Sequence, residues 1–478
     1  MKNNIKKFLS LVACAAISIS TLTACSVDGV ELLSFIPKTS TEADFNGAEF
    51  KIVGYYRAGI AEVAPVSSDN MYTDMLLEHY DMVSEKFNIK IVAEGSESIS
   101  DDMQLKASTG DKFADIIDES LGTILNLYNS NLIMEVDNII DYSELHSGKY
   151  GTETQLNGAT LKRKTGDVIY GFQAGYWGLP TPKFANAGYF NPDMVARFNL
   201  DNPYELIEND KWTWDIFEKM CINCASGGLD PTTEDDDTYG VAEDPKQGYV
   251  TKSALASNDV AFISFNEETG RYEYNLNTPE FAETIEWVKS LHDKGGLKII
   301  EGETANSLIG NVVNNFIEGR SFFLAEHTYH GTTDRESLIY KADFEFNWIP
   351  FPKGPRAENY VYGASVSGAD RYFAFPSVDM DEEMLQVVVP TLFSQFEGLS
   401  EYEWRDYFAI DIFFNDESEK WFYHMYDNLT NNHDYIISFF NNESYLSKIL
   451  SGEKTMTQVL DSYISVGQDE IDDLLNVE

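Results

Sequence analysis

The chain has 478 residues, with 79 aspartates and glutamates against 34 lysines and arginines, so its net charge at neutral pH is −45. Such an anionic surface repels phosphate backbones, which excludes nucleic acid as a partner. The length is several times the ~150 residues of a typical domain, so we expect two or three domains with sizeable cores.

The N-terminus has the pattern of an export signal. Three lysines among the first seven residues precede an apolar run that starts at Phe8 and is short for a membrane span. The run ends in Leu-Thr-Ala-Cys25, which resembles the bacterial lipobox, whose cysteine is diacylated before cleavage. We predict a signal peptide over residues 1–24 and a lipid-anchored tether over 25–45, which place the protein on the extracellular face of the bacterial cytoplasmic membrane. An ordinary secretory peptide is the alternative.

The first part of the body alternates strands and helices. Hydrophobic patterning predicts strands over residues 50–54, 89–92 and 114–117, and helices over 70–87, 100–108 and 121–128. This β-α-β-α-β order predicts a mainly parallel sheet covered by helices. The polar, weakly periodic stretch 142–165 indicates an insertion.

The ends of these predicted strands are candidate ligand-binding positions. Ligands of open α/β sheets bind outside the carboxyl ends of the strands. Tyr55, Tyr56 and Arg57 follow the first strand, and Asp118 and Glu119 follow the third. We therefore expect these five side chains to face a cleft.

The second part of the body begins with a predicted helix over residues 214–224 and an acidic loop over 230–237. Regularly spaced apolar residues predict an amphipathic helix over 279–294. A strand is predicted over 360–365. The remaining predicted helices cover 381–396, 438–450 and 455–475.

Cys221 and Cys224 are the cysteines that remain after Cys14 in the signal and Cys25 in the lipobox. They have the spacing of a redox motif but fall late in a helix that Thr213 is expected to cap, whereas a reactive thiolate is favoured at a helix N-terminus. Buried apolar thiols or a local disulfide are the alternatives to a redox pair.

Six short motifs follow one another along the body. They are Gly-Asp at 110–111 with Asp-Ile-Ile at 115–117, Tyr-Phe-Asn-Pro-Asp at 189–193, Trp-Thr-Trp-Asp at 212–215, Phe-Ile-Glu-Gly-Arg at 316–320, Pro-Phe-Pro-Lys-Gly-Pro at 350–355 and Gly-Glu-Lys-Thr at 452–455. Each motif is degenerate, but their joint order behind a lipobox resembles the family 1 extracellular solute-binding proteins. These are substrate receptors of ABC importers with a fold like that of maltose-binding protein.

The resemblance implies an α/β, two-lobed periplasmic-binding-protein-like fold of type II, with three inter-lobe crossings and a ligand cleft between the lobes. It implies lobe one from residues 46–170 with 364–410, and lobe two from 171–363 with 411–478. It also implies a monomer without enzymatic activity or cofactor. Such a receptor closes about a hinge on a small molecule, with oligosaccharide favoured, and delivers it to ABC permease subunits.

Flat aromatic rings are expected in a sugar site, because sugars stack their C–H faces on them. Tyr176 and Trp177 lie in a glycine-flanked segment just past the implied lobe crossing, so we predict that they line the cleft. On this interpretation Trp177→Ala should weaken binding by about 1 to 3 kcal/mol and leave folding intact.

The resemblance implies four further aromatic candidates, with core packing as the alternative for each. Tyr329 is the aromatic nearest to where the family commonly places a sugar-stacking tryptophan, and Tyr249 lies in the matching loop of lobe two. Phe439 and Phe440 lie close to the position of the family's last aromatic platform.

Metal and enzyme motifs are weak or missing in the sequence. Glu326, His327 and His330 lack the His-Glu-x-x-His spacing, and the acidic loop 230–237 lacks the spacing of a calcium loop, so we predict no metal. No nucleophile elbow, phosphate loop or zinc motif occurs. The alternatives to a sugar receptor are a secreted, lipid-anchored glycan-active enzyme, a surface adhesin of the same fold, and a receptor for peptides or polyamines.

Overall fold

The structure is a computed structural model that describes residues 43–55, 63–64, 71–175, 177, 184–225, 237–300, 312–332, 338–397, 412–430, 433, 436, 439 and 445–477. Its strands are β1 Ala48–Tyr55, β2 Ile89–Ser96, β3 Ile116–Ser120, β4 Thr160–Leu161, β5 Val168–Ile169, β6 Ala187–Phe190, β7 Tyr239–Glu243, β8 Ile263–Asn266, β9 Arg271–Tyr274, β10 Leu297–Ile299, β11 Ser321–Glu326, β12 Asn347–Pro350, β13 Ala364–Ser365, β14 Arg371–Ala374 and β15 Leu429–Thr430.

The α-helices surround these strands. They are α1 Met71–Phe87, α2 Ile99–Thr109, α3 Leu121–Asn129, α4 Tyr142–Leu145, α5 Glu153–Gly158, α6 Pro192–Arg197, α7 Pro203–Glu208, α8 Trp214–Cys224, α9 Tyr249–Ala256, α10 Pro279–Asp293, α11 Tyr329–Thr332, α12 Glu382–Leu392, α13 Asp416–Asp427, α14 Tyr445–Leu450 and α15 Met456–Leu474.

The first sheet has the strand order β14-β3-β1-β2. β1 pairs in parallel with β2 and with β3, with Ile52 opposite both Ala93 and Ile116. This arrangement confirms the predicted parallel β-α-β-α-β unit. β14 comes from more than two hundred residues further along the chain and runs antiparallel to β3, with Phe373 opposite Asp118.

The second sheet has the strand order β10-β7-β11-β6-β12. β10, β7 and β11 are parallel to one another, whereas β6 runs antiparallel to both of its neighbours. The sheet is therefore mixed, and the carboxyl ends of β7, β10 and β11 lie on the same edge.

Two chain segments that connect the sheets run side by side. Phe172 forms an antiparallel bridge with Phe373, and Ala185 forms one with Ser365. Phe373 belongs to β14 of the first sheet, whereas Ala185 lies two residues before β6 of the second. These two bridges thus pair the chain near the first sheet and again near the second.

α10 shows how sequence signals place a helix here. Thr278 caps it by accepting a hydrogen bond from the Phe281 amide at 3.2 Å, and Pro279 occupies the first turn, where it loses no helical hydrogen bond. The predicted apolar stripe of Phe281, Ile285, Val288 and Leu291 is buried. The amphipathic prediction is confirmed.

The structure corrects several predicted bounds. The third strand covers Ile116–Ser120 rather than 114–117, because Asp115 is used before the strand as the acceptor for the Lys51 amide at 2.7 Å. The predicted strand 360–365 is reduced to Ala364–Ser365, and the helix from 381 ends at Leu392. The stretch 142–165 contains α4, α5 and β4.

Cys221 and Cys224 are buried free thiols in α8. Burial raises the pKa of Cys224 to about 12 and that of Cys221 well above its ordinary value, so both are held as neutral thiols. Thr213 precedes α8, but its side chain makes no capping hydrogen bond. Of the alternatives to a redox pair, the structure therefore shows buried thiols in an apolar environment and not a local disulfide.

Gly240 in β7 lets Cys221 of α8 approach the sheet. A Cβ at residue 240 would overlap the Cβ of Cys221 and lie 2.5 Å from its Sγ. We expect Gly240→Ala to lower the free energy of unfolding by about 1 to 3 kcal/mol, because the helix must shift to admit the methyl group. Urea unfolding of Gly240→Ala measures this. Gly122→Ala is the control, since a Cβ at residue 122 would meet its nearest atom, the Gly368 carbonyl oxygen, at an ordinary contact distance of 3.6 Å.

Candidate functional site

The carboxyl ends of the parallel strands define one edge of each sheet. Tyr55, Ser96 and Ser120 end the parallel strands of the first sheet, and Glu243, Ile299 and Glu326 end those of the second. In open α/β sheets this edge is where ligands bind. We call these the two carboxyl edges.

An arginine that sequence reasoning missed organises the carboxyl edge of the first sheet. Because β14 is antiparallel to β3, Arg371 lies opposite Ser120. Its Nε and Nη2 donate to the two Asp118 carboxylate oxygens at 3.2 and 3.0 Å, Nη1 donates to Glu119 Oε1 at 3.2 Å, and Nη2 also donates to the Asp118 carbonyl. The guanidinium lies 5.1 Å from the centre of the Tyr55 ring.

This pairing changes the role expected for the two acids. Asp118 and Glu119 are buried rather than presented to an open cleft. Burial raises the pKa of Glu119, while the charge of Arg371 opposes the increase. Both carboxylates are therefore structural partners of Arg371, and the expectation that their charges point into a cleft is corrected.

His327 and Asp370 join the two carboxyl edges. His327 directly follows β11 of the second sheet, and Asp370 directly precedes β14 of the first. The Tyr329 amide donates to His327 Nδ1 at 3.1 Å, so the other ring nitrogen carries the proton and donates to Asp370 Oδ1 at 3.1 Å. The Ser367 amide donates to Asp370 Oδ2 at 2.7 Å. The edges thus meet through a buried hydrogen-bonded contact.

Three buried acids lie at the carboxyl edge of the second sheet: Glu243, Asp244 and Glu326. Burial raises the pKa of both Glu243 and Glu326 to about 8, and the pKa of Asp244 is raised for the same reason. Such perturbed carboxyl groups are typical of functional sites.

Two predicted tyrosines lie beside these acids. Tyr249 starts α9 and is half-buried, and Tyr329 starts α11 with 47% of its surface exposed. The buried Tyr189 lies close to both tyrosines and to Glu326. Its pKa is raised chiefly by burial and then by these neighbours, Glu326 first. Its hydroxyl donates to the His327 carbonyl at 3.0 Å. Aromatic faces and acidic groups are therefore brought together here.

Two other predicted aromatics are core residues. Trp177 is 1% exposed, stacks on Phe393 at 4.8 Å and donates from Nε1 to the Leu392 carbonyl at 2.7 Å. Phe439 is fully buried against Phe281 and Tyr463. Because their faces are covered by protein, both are removed from the candidate site.

Several candidates lie outside the described residues: Tyr56, Arg57, Tyr176, Phe440, Cys25 and positions 230–236 of the acidic loop. Within the described ranges, no three His, Cys, Asp or Glu side chains are arranged to hold a metal ion. Burial lowers the pKa of His330 to about 3, so its imidazole is neutral. No helix in these ranges is long and apolar enough to cross a membrane.

The chain was compared with known proteins. No family model matches it, and no curated protein sequence matches it. Among solved structures, it is similar to a sugar transporter of Rhizobium etli in an open conformation, with a TM-score of 0.61 and 14% identity, covering 88% of this chain and 99% of that one.

Two further solved structures give the same result. The maltose-binding protein MalE of Listeria monocytogenes, in complex with maltose, matches with a TM-score of 0.59 and 14% identity over 89% of this chain and 98% of that one. The GacH receptor of Streptomyces glaucescens was solved unliganded and with acarbose. It matches with a TM-score of 0.55 and 11% identity, covering 89% of this chain and 99% of that one. The chain therefore has the two-lobed fold of the solute-binding proteins of ABC importers, as its resemblance to family 1 of those proteins predicts.

Proposed function

We propose that this chain is the substrate-binding lipoprotein of an ABC transporter. It captures a carbohydrate, an oligosaccharide in the simplest case, and delivers it to a membrane permease without breaking a bond. Lobe one comprises residues 46–170 with 364–410, and lobe two comprises 171–363 with 411–478. A lipid on Cys25 holds the protein, as a monomer, at the extracellular face of the cytoplasmic membrane.

The observation that carries this proposal is the meeting of the two carboxyl edges beside exposed aromatic surface. Tyr329 is 47% exposed and follows Glu326 by three residues, and the half-buried Tyr249 starts α9, whose Thr251 binds Glu243 at the same edge. Sugars require this combination, since they stack on rings and hydrogen-bond through hydroxyl groups. Structural neighbours that bind sugars with the same fold support the assignment.

Closure about a hinge is supported by two antiparallel bridges, Phe172 with Phe373 near the first sheet and Ala185 with Ser365 near the second. Bending where the chain passes between two sheets moves the sheets relative to each other. We assign ligand capture to this movement.

A binding screen tests the proposal. The full chain, kept in mild detergent, is screened by thermal shift against mono- and oligosaccharides, peptides and polyamines, and each hit is measured by calorimetry. We expect stabilisation by a glycan that is recovered intact. Turnover of the glycan would instead indicate a glycan-active enzyme, and stabilisation only by peptides or polyamines would keep the fold and discard the sugar.

Tyr329→Ala and Tyr249→Ala should each weaken binding of the glycan hit by about 1 to 2 kcal/mol, which is about five- to thirty-fold, because each removes a stacking face. Calorimetry at constant temperature measures the change. The matched control is Tyr142→Ala, an exposed tyrosine in α4, whose affinity should equal that of the wild type. Equal affinities in all four proteins would remove both tyrosines from the site.

A further inference from the structure

Two of the buried acids lie at the ends of adjacent strands. β7 and β11 pair in parallel, with Val241 opposite Phe323. Glu326 is the last residue of β11, and Asp244 directly follows Glu243, the last residue of β7. Besides burial, the charge of Asp244 raises the pKa of Glu326, so the two carboxyl groups are close enough to interact. We call Asp244 and Glu326 the paired acids of the carboxyl edge.

Glu243 does not belong to this pair. Its Oε2 accepts hydrogen bonds from the amide and hydroxyl of Thr251 in α9, at 2.9 and 3.2 Å. The protein thus supplies donors to Glu243.

Among the described residues, one oxygen of each paired acid has no donor. Asp244 Oδ1 accepts from the Lys246 amide at 2.9 Å, but Oδ2 is buried and has no hydrogen-bond partner there. Glu326 Oε1 accepts from its neighbouring His327 amide at 3.0 Å, and no described residue donates to Oε2. Asp244 and Glu326 are only 4% and 2% exposed. A buried carboxyl oxygen without a donor is costly, so Asp244 Oδ2 is suited to a donor from outside the protein.

Nearby cations do not fill this role in the part of the chain that the structure describes. Neither Asp244 nor Glu326 forms an ion pair there. Lys252 acts on the charge of Glu326 and Lys246 on that of Asp244, both without forming an ion pair, and Lys252 Nζ lies over the Tyr249 ring, 5.9 Å from its centre. The arrangement contrasts with the first sheet, where Arg371 neutralises Asp118 and Glu119.

We propose that Asp244 and Glu326 bind a positively charged amino group on the ligand, with the faces of Tyr249 and Tyr329 beside it. An ammonium group supplies up to three N–H donors and a charge opposite to that of the carboxylates. Tyrosine faces attract cations as well as sugar C–H groups. Resting on the proposed function, this assigns amino sugars, rather than neutral sugars, as the ligand class.

Binding should release a proton. In the free protein the pKa of Glu326 is about 8, raised by burial and then by the charges of Asp244 and Glu243, while its hydrogen bond from the His327 amide and the charge of Lys252 oppose the increase. Glu326 is therefore mostly protonated below pH 8 and must ionise to pair with an ammonium group. By linkage, affinity should rise as the pH rises, by about tenfold per unit while one proton is released.

The experiment compares a glucosamine trimer with its N-acetylated trimer on the full chain. Calorimetry is run at pH 4.5 and 5.5, where the amine stays charged, in buffers of different ionisation enthalpy. We expect the amino trimer to bind at least tenfold more tightly, with proton release and about tenfold higher affinity at pH 5.5. The acetylated trimer should show neither.

Matched variants locate the effect. Glu326→Gln and Asp244→Asn should each remove the preference for the amino trimer, and Glu326→Gln should also remove the proton release. Glu318→Gln is the control, since this exposed acid lies beyond the opposite end of β11 and should bind as the wild type does. Thermal unfolding of each variant shows whether it is folded, and the wild-type proton release tests the proposal without any variant.

The outcomes separate this inference from the proposed function. Equal binding of both trimers without proton release, or binding of other neutral glycans only, would overturn the inference and leave the sugar receptor standing. Binding of spermidine with proton release, but of no glycan, would overturn the assignment of amino sugars together with the proposed function. Absence of binding by every glycan and polyamine would overturn both proposals.

Discussion

Arg371→Met should lower the free energy of unfolding by about 3 to 5 kcal/mol, because it leaves two buried carboxylates without their counter-ion. The side chains of Asp118 and Glu119 are both less than one-tenth exposed, and Arg371 makes three side-chain hydrogen bonds with Asp118 and Glu119. The measurement is urea unfolding at neutral pH.

Arg356→Met is the matched control. Arg356 also pairs with two acids, Glu283 at 2.5 Å and Glu280 at 3.7 Å, but all three side chains are exposed. Exposed pairs contribute about 0 to 1 kcal/mol, so this variant should remain close to wild type. Equal losses in the two variants would show that Arg371 does not stabilise a buried acid pair.

Lowering the pH should reduce the loss of unfolding free energy caused by Arg371→Met. Burial already raises the folded-state pKa of Glu119, and without the charge of Arg371 that pKa rises further, opposed only by the hydrogen bonds from Ser120 among its lowering partners. An acid with a raised folded pKa favours the folded state as the pH falls through that pKa. The difference between wild type and variant should therefore shrink between pH 7 and pH 5, and a constant difference would contradict the assignment.

Trp177→Ala should lower the free energy of unfolding by about 3 to 5 kcal/mol, because it opens a cavity in the core of the first sheet. The indole packs on Phe393 and against Phe373, whose ring centre lies 5.5 Å away. This expectation replaces the one drawn from the sequence, in which the variant folds normally and loses only ligand affinity. Urea unfolding and calorimetry on the same protein distinguish the two.

Trp177→Phe supplies the graded control. It keeps a ring and loses the Nε1 hydrogen bond, but the Leu392 carbonyl retains His79 Nε2 at 2.8 Å. We expect a loss of about 1 to 2 kcal/mol. Tyr142→Ala, an exposed aromatic truncation, should lie within about 0.5 kcal/mol of wild type. If Trp177→Ala is as stable as Tyr142→Ala but binds no glycan, the core assignment is wrong.

The local elements of the fold follow closely from the sequence. Hydrophobic patterning predicts the parallel strands around Ile52, Ile91 and Ile116, and regularly spaced apolar residues predict α10. These signals lie within a few residues of one another, so propensity and periodicity report them directly.

The candidate site was predictable only in part. The family resemblance predicts Tyr249 and Tyr329 as site residues, and both lie near Glu326 of the second sheet. Arg371 was missed, because nothing near it in sequence indicates that β14 will lie against β3, about 250 residues earlier. Trp177 was misplaced, because a glycine-flanked segment does not reveal that Phe393 will cover the ring.

The sequence by itself determined the alternation of strands and helices, the anionic charge and the order of motifs that resembles the solute-binding receptors. Only the tertiary structure decided that Arg371 neutralises Asp118 and Glu119, and that Asp244 and Glu326 lie at the ends of adjacent strands with no ion pair among the described residues. The physical reason is that burial and strand register are set by contacts between residues tens to hundreds of positions apart. A carboxyl group therefore has the same sequence signature whether the fold gives it an arginine or leaves it for a ligand.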